Sequence, residues 1–321
     1  MSNKIWSTSP SFGFYAKEPV AFLEDKGYVV ELVSQSSKLT EEEALATVAD
    51  CAAVISGFFP ITRKLMEAAP GLKVVAMHGA GVNHIDVAAA SDRKIMVTNA
   101  PGMNRNAVAE LAVGLYLSLA RRIPATHIQV QEGGWPRVIG SQILGKTLGL
   151  VGLGAIGKAV AEKALAMGMK VAAFDLMPDQ AFVEKAGIQM LPLPELMASA
   201  DYVSVHVPLT PGTEALVGYE ELAAMKPTAY LANLSRGKVV DEDALYRILS
   251  EKKIAGAALD VFADEPPQGN PLLGLDTVIT TSHMGGYTIE ALTDVGMSCA
   301  QSIVDCLEGR KPEFLVNAEA F

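Results

Sequence analysis

"TLGLVGLGAIGKAVAEKALAMG", residues 147–168, decides the fold. A short apolar run leads into Gly152, Gly154 and Gly157, spaced G-x-G-x-x-G, and an Ala-rich helical stretch follows at once. The three glycines serve different physical ends, with a tight turn at Gly152, close approach of a pyrophosphate to the backbone at Gly154, and close helix-strand packing at Gly157. The helix start at Ala155 and Ile156 would present free N–H groups and the positive end of the helix dipole to phosphates. A glycine pattern alone also fits an ordinary tight turn. Here a second strand, "KVAAF" (170–174), ends at Asp175, 21 residues after Gly154, where a carboxylate can accept from ribose hydroxyls. A 2'-phosphate would meet like charge there, and "DLMPDQ" offers no arginine to offset it, so NAD is expected over NADP.

Outward from this stretch, short apolar runs alternate with helical windows, the pattern of parallel sheets covered by helices. Strands are expected at 28–33, 52–55, 72–77, 95–98, 147–152, 170–174, 202–207, 229–234, 255–260 and 277–281. Helices are expected at 41–49, 107–120 and 241–251. "NAPGMN" (99–104) and "HMGGYT" (283–288) punctuate the chain with Pro and Gly, so one domain is expected between them. Periodicity does not say where the last residues pack.

A chain of 321 residues with 50% hydrophobic and 19% charged residues is expected to fold into about two domains. Its net charge of −10 argues against a broad electrostatic grip on nucleic acid or an anionic membrane. Three cysteines without metal-ligand spacing, and no secretory signal in the first ten residues, point to a reducing cytoplasm. The most apolar stretch, 107–120, contains Glu110 and is too short to span a bilayer.

Polar groups fall just beyond three successive strand ends: Arg236 in "ANLSRG", Asp260 and Glu265 in "ALDVFADEP", and His283 in "TTSHMGG". In a doubly wound sheet such positions converge on one crevice. A cation to orient a carboxylate and an acid-base group are what hydride transfer asks of a protein beyond a held nicotinamide. Taken alone, by type and position, His283 reads first as a core histidine closing a strand.

"VGLGAIG", "NLSRGKVVDEDAL", "ALDVFADEP" and "HMGGYT", in this order and with "HGAGVNHIDVAAA" (78–90) and "NAPGMNRNAVAELAVGLYLSLAR" (99–121) before them, resemble the D-isomer-specific 2-hydroxyacid dehydrogenase family over nearly the whole chain. The resemblance implies an α/β fold of two doubly wound parallel-sheet domains, a Rossmann cofactor domain (101–287) inserted in a flavodoxin-like substrate domain (1–100 plus 288–321). It implies Arg236 on the substrate carboxylate, Glu265 paired with the acid-base His283, and a small anionic 2-hydroxy or 2-oxo acid as substrate. Cofactor contacts are implied at Gly152, Gly154, Ala155, Ile156, Gly157, Asp175, His206, Pro208 and Asp260, the last at the nicotinamide carboxamide, although burial at a strand end is the preferred explanation of His206. Ala80 and Gly81 are implied as backbone donors to substrate, Phe58 lies in the substrate loop, where it could cover a compact substrate or equally be core, and a homodimer through the long helix is implied, although a helix buried within one chain would look the same.

Phosphoglycerate dehydrogenases and hydroxypyruvate or glyoxylate reductases are the branches most resembled. The chain ends soon after its last helix, so a C-terminal regulatory domain is expected to be absent. "VISGFFPIT" (54–62) carries Ser56, Phe58 and Phe59 where phosphoglycerate enzymes usually have an arginine and small polar residues. A second departure is Ser282 immediately before His283, where the family usually has proline. The expectation is that hydrogen bonding, rather than a fixed φ, holds the imidazole. A phosphoglycerate dehydrogenase proper and an NAD-sensing protein resembling the C-terminal-binding corepressors are the alternative readings.

Overall fold

Buried β-branched and small residues make most of the inner strands, as expected where both faces of a parallel sheet are covered. The structure, a computed structural model, describes residues 2–33 and 38–321. Packing divides the chain into two units, Met1–Asn104 with Tyr287–Phe321, and Arg105–Gly286.

The first unit runs β1 (Lys4–Ser7), α1 (Glu18–Asp25), β2 (Val29–Leu32), α2 (Glu41–Val48), β3 (Ala53–Ser56), α3 (Arg63–Glu67), β4 (Val74–Met77), α4 (Val87–Asp92) and β5 (Met96–Thr98). The second contains α5 (Arg105–Arg121), α6 (Ile123–Gln131), β6 (Thr147–Val151), α7 (Ala155–Ala166), β7 (Lys170–Phe174), α8 (Gln180–Ala186), β8 (Gln189–Met190) and α9 (Leu193–Ser199). It continues with β9 (Tyr202–Val205), α10 (Tyr219–Ala224), β10 (Tyr230–Asn233), α11 (Glu242–Ser250), β11 (Gly256–Leu259) and β12 (Val278–Thr280), after which α12 (Ile289–Leu307) belongs to the first unit.

Among the described residues the first sheet has the order β2-β1-β3-β4-β5 and the second β12-β11-β10-β9-β6-β7-β8, every pair parallel. These are the flavodoxin-like and Rossmann orders, each reversing direction beside its first strand. Alternating side chains divide each sheet between two cores. Trp6, Val54, Val75 and Val97 pack on α2, α3 and α4, while Ile5, Ile55 and Ala76 pack on α1 and α12. In the second unit Leu148, Leu150 and Tyr202 face α5 and α7, and Val203, Val205 and Leu231 face α9 and α11.

Local signals start the helices that matter for the site. Asp241 caps α11 by accepting from the Ala244 N–H at 3.0 Å. Leu245, Ile248 and Leu249 then bury one face of that helix. Burial of each such side chain is worth roughly 1.5–3 kcal/mol as an upper bound, so the helix is firmly anchored.

Candidate active site

β10, β11 and β12 lie side by side, with Asn233 in register with Leu259 and Leu259 with Thr280. The segments that follow them therefore leave the same sheet edge. They bring His283 Nδ1 to 2.7 Å from Glu265 Oε2. The other oxygen, Oε1, accepts the Phe262 N–H at 3.0 Å. Burial raises the Glu265 carboxyl, but the His283 and Phe262 hydrogen bonds and the charges of His283 and Arg236 outweigh it, so the group is held below the ordinary carboxylate range. An ionised carboxylate only accepts, which puts a proton on Nδ1 and leaves Nε2 to give or take one.

Arg236 leaves β10 through a turn locked by Asn233, whose amide donates to the Arg236 carbonyl at 3.0 Å and accepts from the Ser235 hydroxyl at 2.9 Å. Burial lowers the guanidinium from its ordinary value and the Glu265 charge opposes that shift. Arginine stays charged through such a shift, so a half-buried cation is held near the pair.

His283 has a left-handed backbone, φ +54°, which costs a non-glycine residue roughly 1 kcal/mol or more. Asp260 supports it. The Asp260 carbonyl accepts the His283 N–H at 2.7 Å. Its carboxylate, on a residue only 2% exposed, takes the Thr281 hydroxyl at 2.6 Å and the Met284 and Gly285 N–H groups at 2.9 Å each. Ser282 is exposed, and its hydroxyl makes no hydrogen bond among the described residues. Hydrogen bonding does hold this turn, but the acceptor is Asp260 and not the serine. The sequence did not mark Thr281; a hydroxyl two residues before the histidine was the available signal.

The glycine loop has the shape a dinucleotide requires. Gly152 sits at φ +102°, and its N–H bonds the Phe174 carbonyl at 2.8 Å. A Cβ on Gly157 would lie 2.2 Å from the Gly152 carbonyl oxygen, whereas one on Gly154 would meet nothing within 4 Å. The packing glycine is thus closed by protein and the approach glycine faces open space, with Ala155 and Ile156 opening α7 beside it. Asp175 accepts the Leu153 N–H at 2.7 Å through Oδ2 and the Met177 N–H at 2.8 Å through Oδ1. These bonds tie the glycine loop to the end of β7. His206 Nε2 pairs with the Ser204 hydroxyl at 2.7 Å, and Nδ1 is buried without a partner among the described residues. Burial lowers that imidazole to about 4, so the ring is neutral, and Pro208 beyond it is exposed. An open approach glycine, a helix N-terminus and an unpaired buried nitrogen together fit NAD.

In the first unit the N–H groups of Ala80 and Gly81 donate to no acceptor among the described residues, while the Ala80 carbonyl accepts from the Asn99 amide at 2.8 Å. Phe58 is 56% exposed, but Phe59 packs edge-on against Trp6 with ring centroids 6.0 Å apart and belongs to the core. His84 Nε2 pairs with Ser56 at 3.0 Å and His78 Nδ1 with Ser9 at 3.0 Å, so both histidines tie the carboxyl ends of strands together.

A sequence profile for the D-isomer specific 2-hydroxyacid dehydrogenase, NAD binding domain, matches residues 113–285, just over half of the chain. The chain belongs to this family. It is 41% identical over 305 residues to D-3-phosphoglycerate dehydrogenase of Methanocaldococcus jannaschii, covering 94% of this chain and 57% of that protein. It is 38% identical over 303 residues to glyoxylate reductase of Korarchaeum cryptofilum, covering 92% and 91%. A solved D-lactate dehydrogenase from Aquifex aeolicus, complexed with NAD and lactic acid, superposes with a TM-score of 0.84 at 27% identity over 98% of both chains. The chain thus spans little more than half of its phosphoglycerate dehydrogenase relatives and nearly all of the glyoxylate reductase. No helix among the described residues is long and apolar enough to cross a membrane.

Proposed function

We propose that the protein is an NAD-dependent D-2-hydroxyacid dehydrogenase in which His283 is the acid-base group, Glu265 its partner and Arg236 the residue that binds the substrate carboxylate. The observation that carries this reading is the 2.7 Å His283–Glu265 pair beside a half-buried arginine. NAD, held by the Gly152–Gly157 loop, Asp175, His206 and Pro208, would supply or accept the hydride. During reduction His283 Nε2 donates a proton to the oxygen of the 2-oxo group, and during oxidation it takes the proton back from the hydroxyl. The adjacent Glu265 carboxylate stabilises the protonated ring and fixes its tautomer. The Arg236 guanidinium matches a planar carboxylate better than an ammonium would, and within the first unit the N–H groups of Ala80 and Gly81 are open to an anionic acceptor.

The substrate reading favours small 2-oxo acids without phosphate. Its support is the substrate loop, where exposed Phe58 and core-packed Phe59 leave no cation between Val54 and Thr62. A panel of hydroxypyruvate, glyoxylate, phenylpyruvate and 3-phosphoglycerate with NAD or NADH tests it; turnover confined to the phosphorylated acid would refute it. Preference for NADPH would refute the role given to Asp175.

Three buried free cysteines suit a reducing cytoplasm. A homodimer is supported by α6, which buries none of its residues, and by Trp135 and Ile139, 82% and 94% exposed just after it. An exposed apolar face of this kind marks an association surface. Light scattering should give twice the chain mass, and Trp135→Asp should yield a monomer; a monomeric parent protein would end the proposal.

A further inference from the structure

The residues from Val261 to Asn270 carry Glu265 but contain no helix or strand, so something outside them must fix the position of that carboxylate. Two contacts do so, and both come from the segment that follows Arg236. At Gly237 the backbones approach so closely that a Cβ would fall 1.9 Å from the Phe262 carbonyl carbon. At Glu242, in the first turn of α11, both carboxylate oxygens accept from the loop. Oε1 takes the Ala263 N–H and Oε2 the Asn270 side-chain amide, each at 2.6 Å. One tie lies two residues before Glu265 and the other five residues after it.

An acidic residue in a first helical turn ordinarily needs no explanation beyond the helix dipole. That role does not ask both oxygens to be taken by donors of another segment. The bonds at Glu242 are short and charge-assisted, the strong kind, and they are anchored on a helix whose Leu245, Ile248 and Leu249 are buried. Asn270 is fixed in its turn, because its Oδ1 caps the Leu272 N–H at 3.0 Å.

We propose that Glu242 is a positioning residue for the Glu265–His283 pair, holding the Glu265 loop on both sides so that the carboxylate meets the imidazole at a fixed offset from Arg236. This rests on the dehydrogenase reading above. Misplacing a reacting group by about 1 Å can cost about 100-fold in rate. A loosened clamp should therefore slow turnover while cofactor binding, which uses other residues, is retained. Glu242→Gln keeps the shape but has one acceptor and one donor. Either the Ala263 N–H or the Asn270 amide then faces another N–H, and turning the Asn270 amide would forfeit its cap on Leu272.

The experiment uses the full chain, NADH and the 2-oxo acid of highest turnover in the panel. Glu242→Gln should lower kcat about 10- to 100-fold, with KM for the acid and Kd for NADH within about twofold of the parent. Hydrogen exchange at the Ala263 amide should quicken while the amides of α11 keep their protection. The double variant Glu242→Gln, Glu265→Gln should be no slower than Glu265→Gln alone, because the first residue acts through the second. Asn270→Ala, which leaves α11 intact, should show a smaller loss of kcat of the same kind. Parent-like kcat in Glu242→Gln, additive losses in the double variant, or faster exchange along all of α11 would each overturn the proposal. Parent-like turnover in Glu265→Gln would instead overturn the pair reading on which it rests.

Discussion

His283 Nδ1 and Glu265 Oε2 lie 2.7 Å apart although 18 residues of chain separate them. The pair forms because β11 and β12 are neighbours in register, and because each of the two segments is tied down by a second carboxylate, Asp260 for one and Glu242 for the other.

If the pair moves the proton, its loss should appear in turnover and not in cofactor binding. His283→Ala should lower kcat by roughly 10²- to 10⁴-fold and Glu265→Gln by about 10²-fold. Fluorescence titration should find the Kd for NADH within about twofold in both. A His283→Ala enzyme turning over at the parent rate would remove the histidine from the chemistry.

The turn around His283 should depend on Asp260 and be indifferent to Ser282. Asp260→Asn places an amide donor against at least one buried donor of the turn and should cost about 1–3 kcal/mol in urea unfolding, with a fall in kcat. Ser282→Pro should leave kcat within about twofold, since the hydroxyl it removes bonds to nothing among the described residues. A large kinetic effect of the proline would show that the backbone at 282 matters more than the carboxylate cage.

Gly157→Ala puts a methyl group 2.2 Å from the Gly152 carbonyl oxygen, so α7 must retreat from the loop. A stability loss of about 1–3 kcal/mol is expected. The Kd for NADH should rise at least tenfold, because the helix N-terminus moves with it. Gly154→Ala should raise Kd without that loss of stability, since nothing of the protein occupies the space its methyl would take.

Stability should fall on mild acidification. Burial lowers His78 and His206 from 6.5 to about 4 in the folded protein, so between these values the unfolded chain binds protons that the native state excludes. Unfolding is therefore favoured as pH drops below 6.5, by roughly 2 kcal/mol per ring at pH 5. Glu265 acts in the same direction lower down: its depressed value adds stability above the ordinary carboxylate range that is lost as pH falls through the folded value. Denaturant midpoints at pH 7 and pH 5 measure the slope, and His206→Gln should flatten it. A midpoint independent of pH would mean that these rings are hydrated.

Most of the sheet architecture could be read from apolar runs, because strands covered on both faces must be almost wholly apolar. Ten such runs coincide with observed strands. β1, whose "KIWS" has only two apolar residues before a serine-rich stretch, and β8, two residues paired only to β7, gave no such signal. At the site, the order of strand ends was enough to draw Arg236, Glu265 and His283 toward one edge. The clamps were not legible: Glu242 looks like any acid in a first helical turn, and the use of both its oxygens is decided by how closely Gly237 lets two backbones pass. Phe58 and Phe59 were alike in sequence until the twist of the chain put one outside and the other against Trp6.

Asp175, proposed above to meet the ribose, already accepts the Leu153 N–H. Exchanging it to admit a phosphorylated cofactor would also release the loop that grips any cofactor. On that reading, selectivity and loop order rest on one side chain and cannot be adjusted separately, so a lineage or an engineer changing the first must supply a new acceptor for Leu153 in the same step.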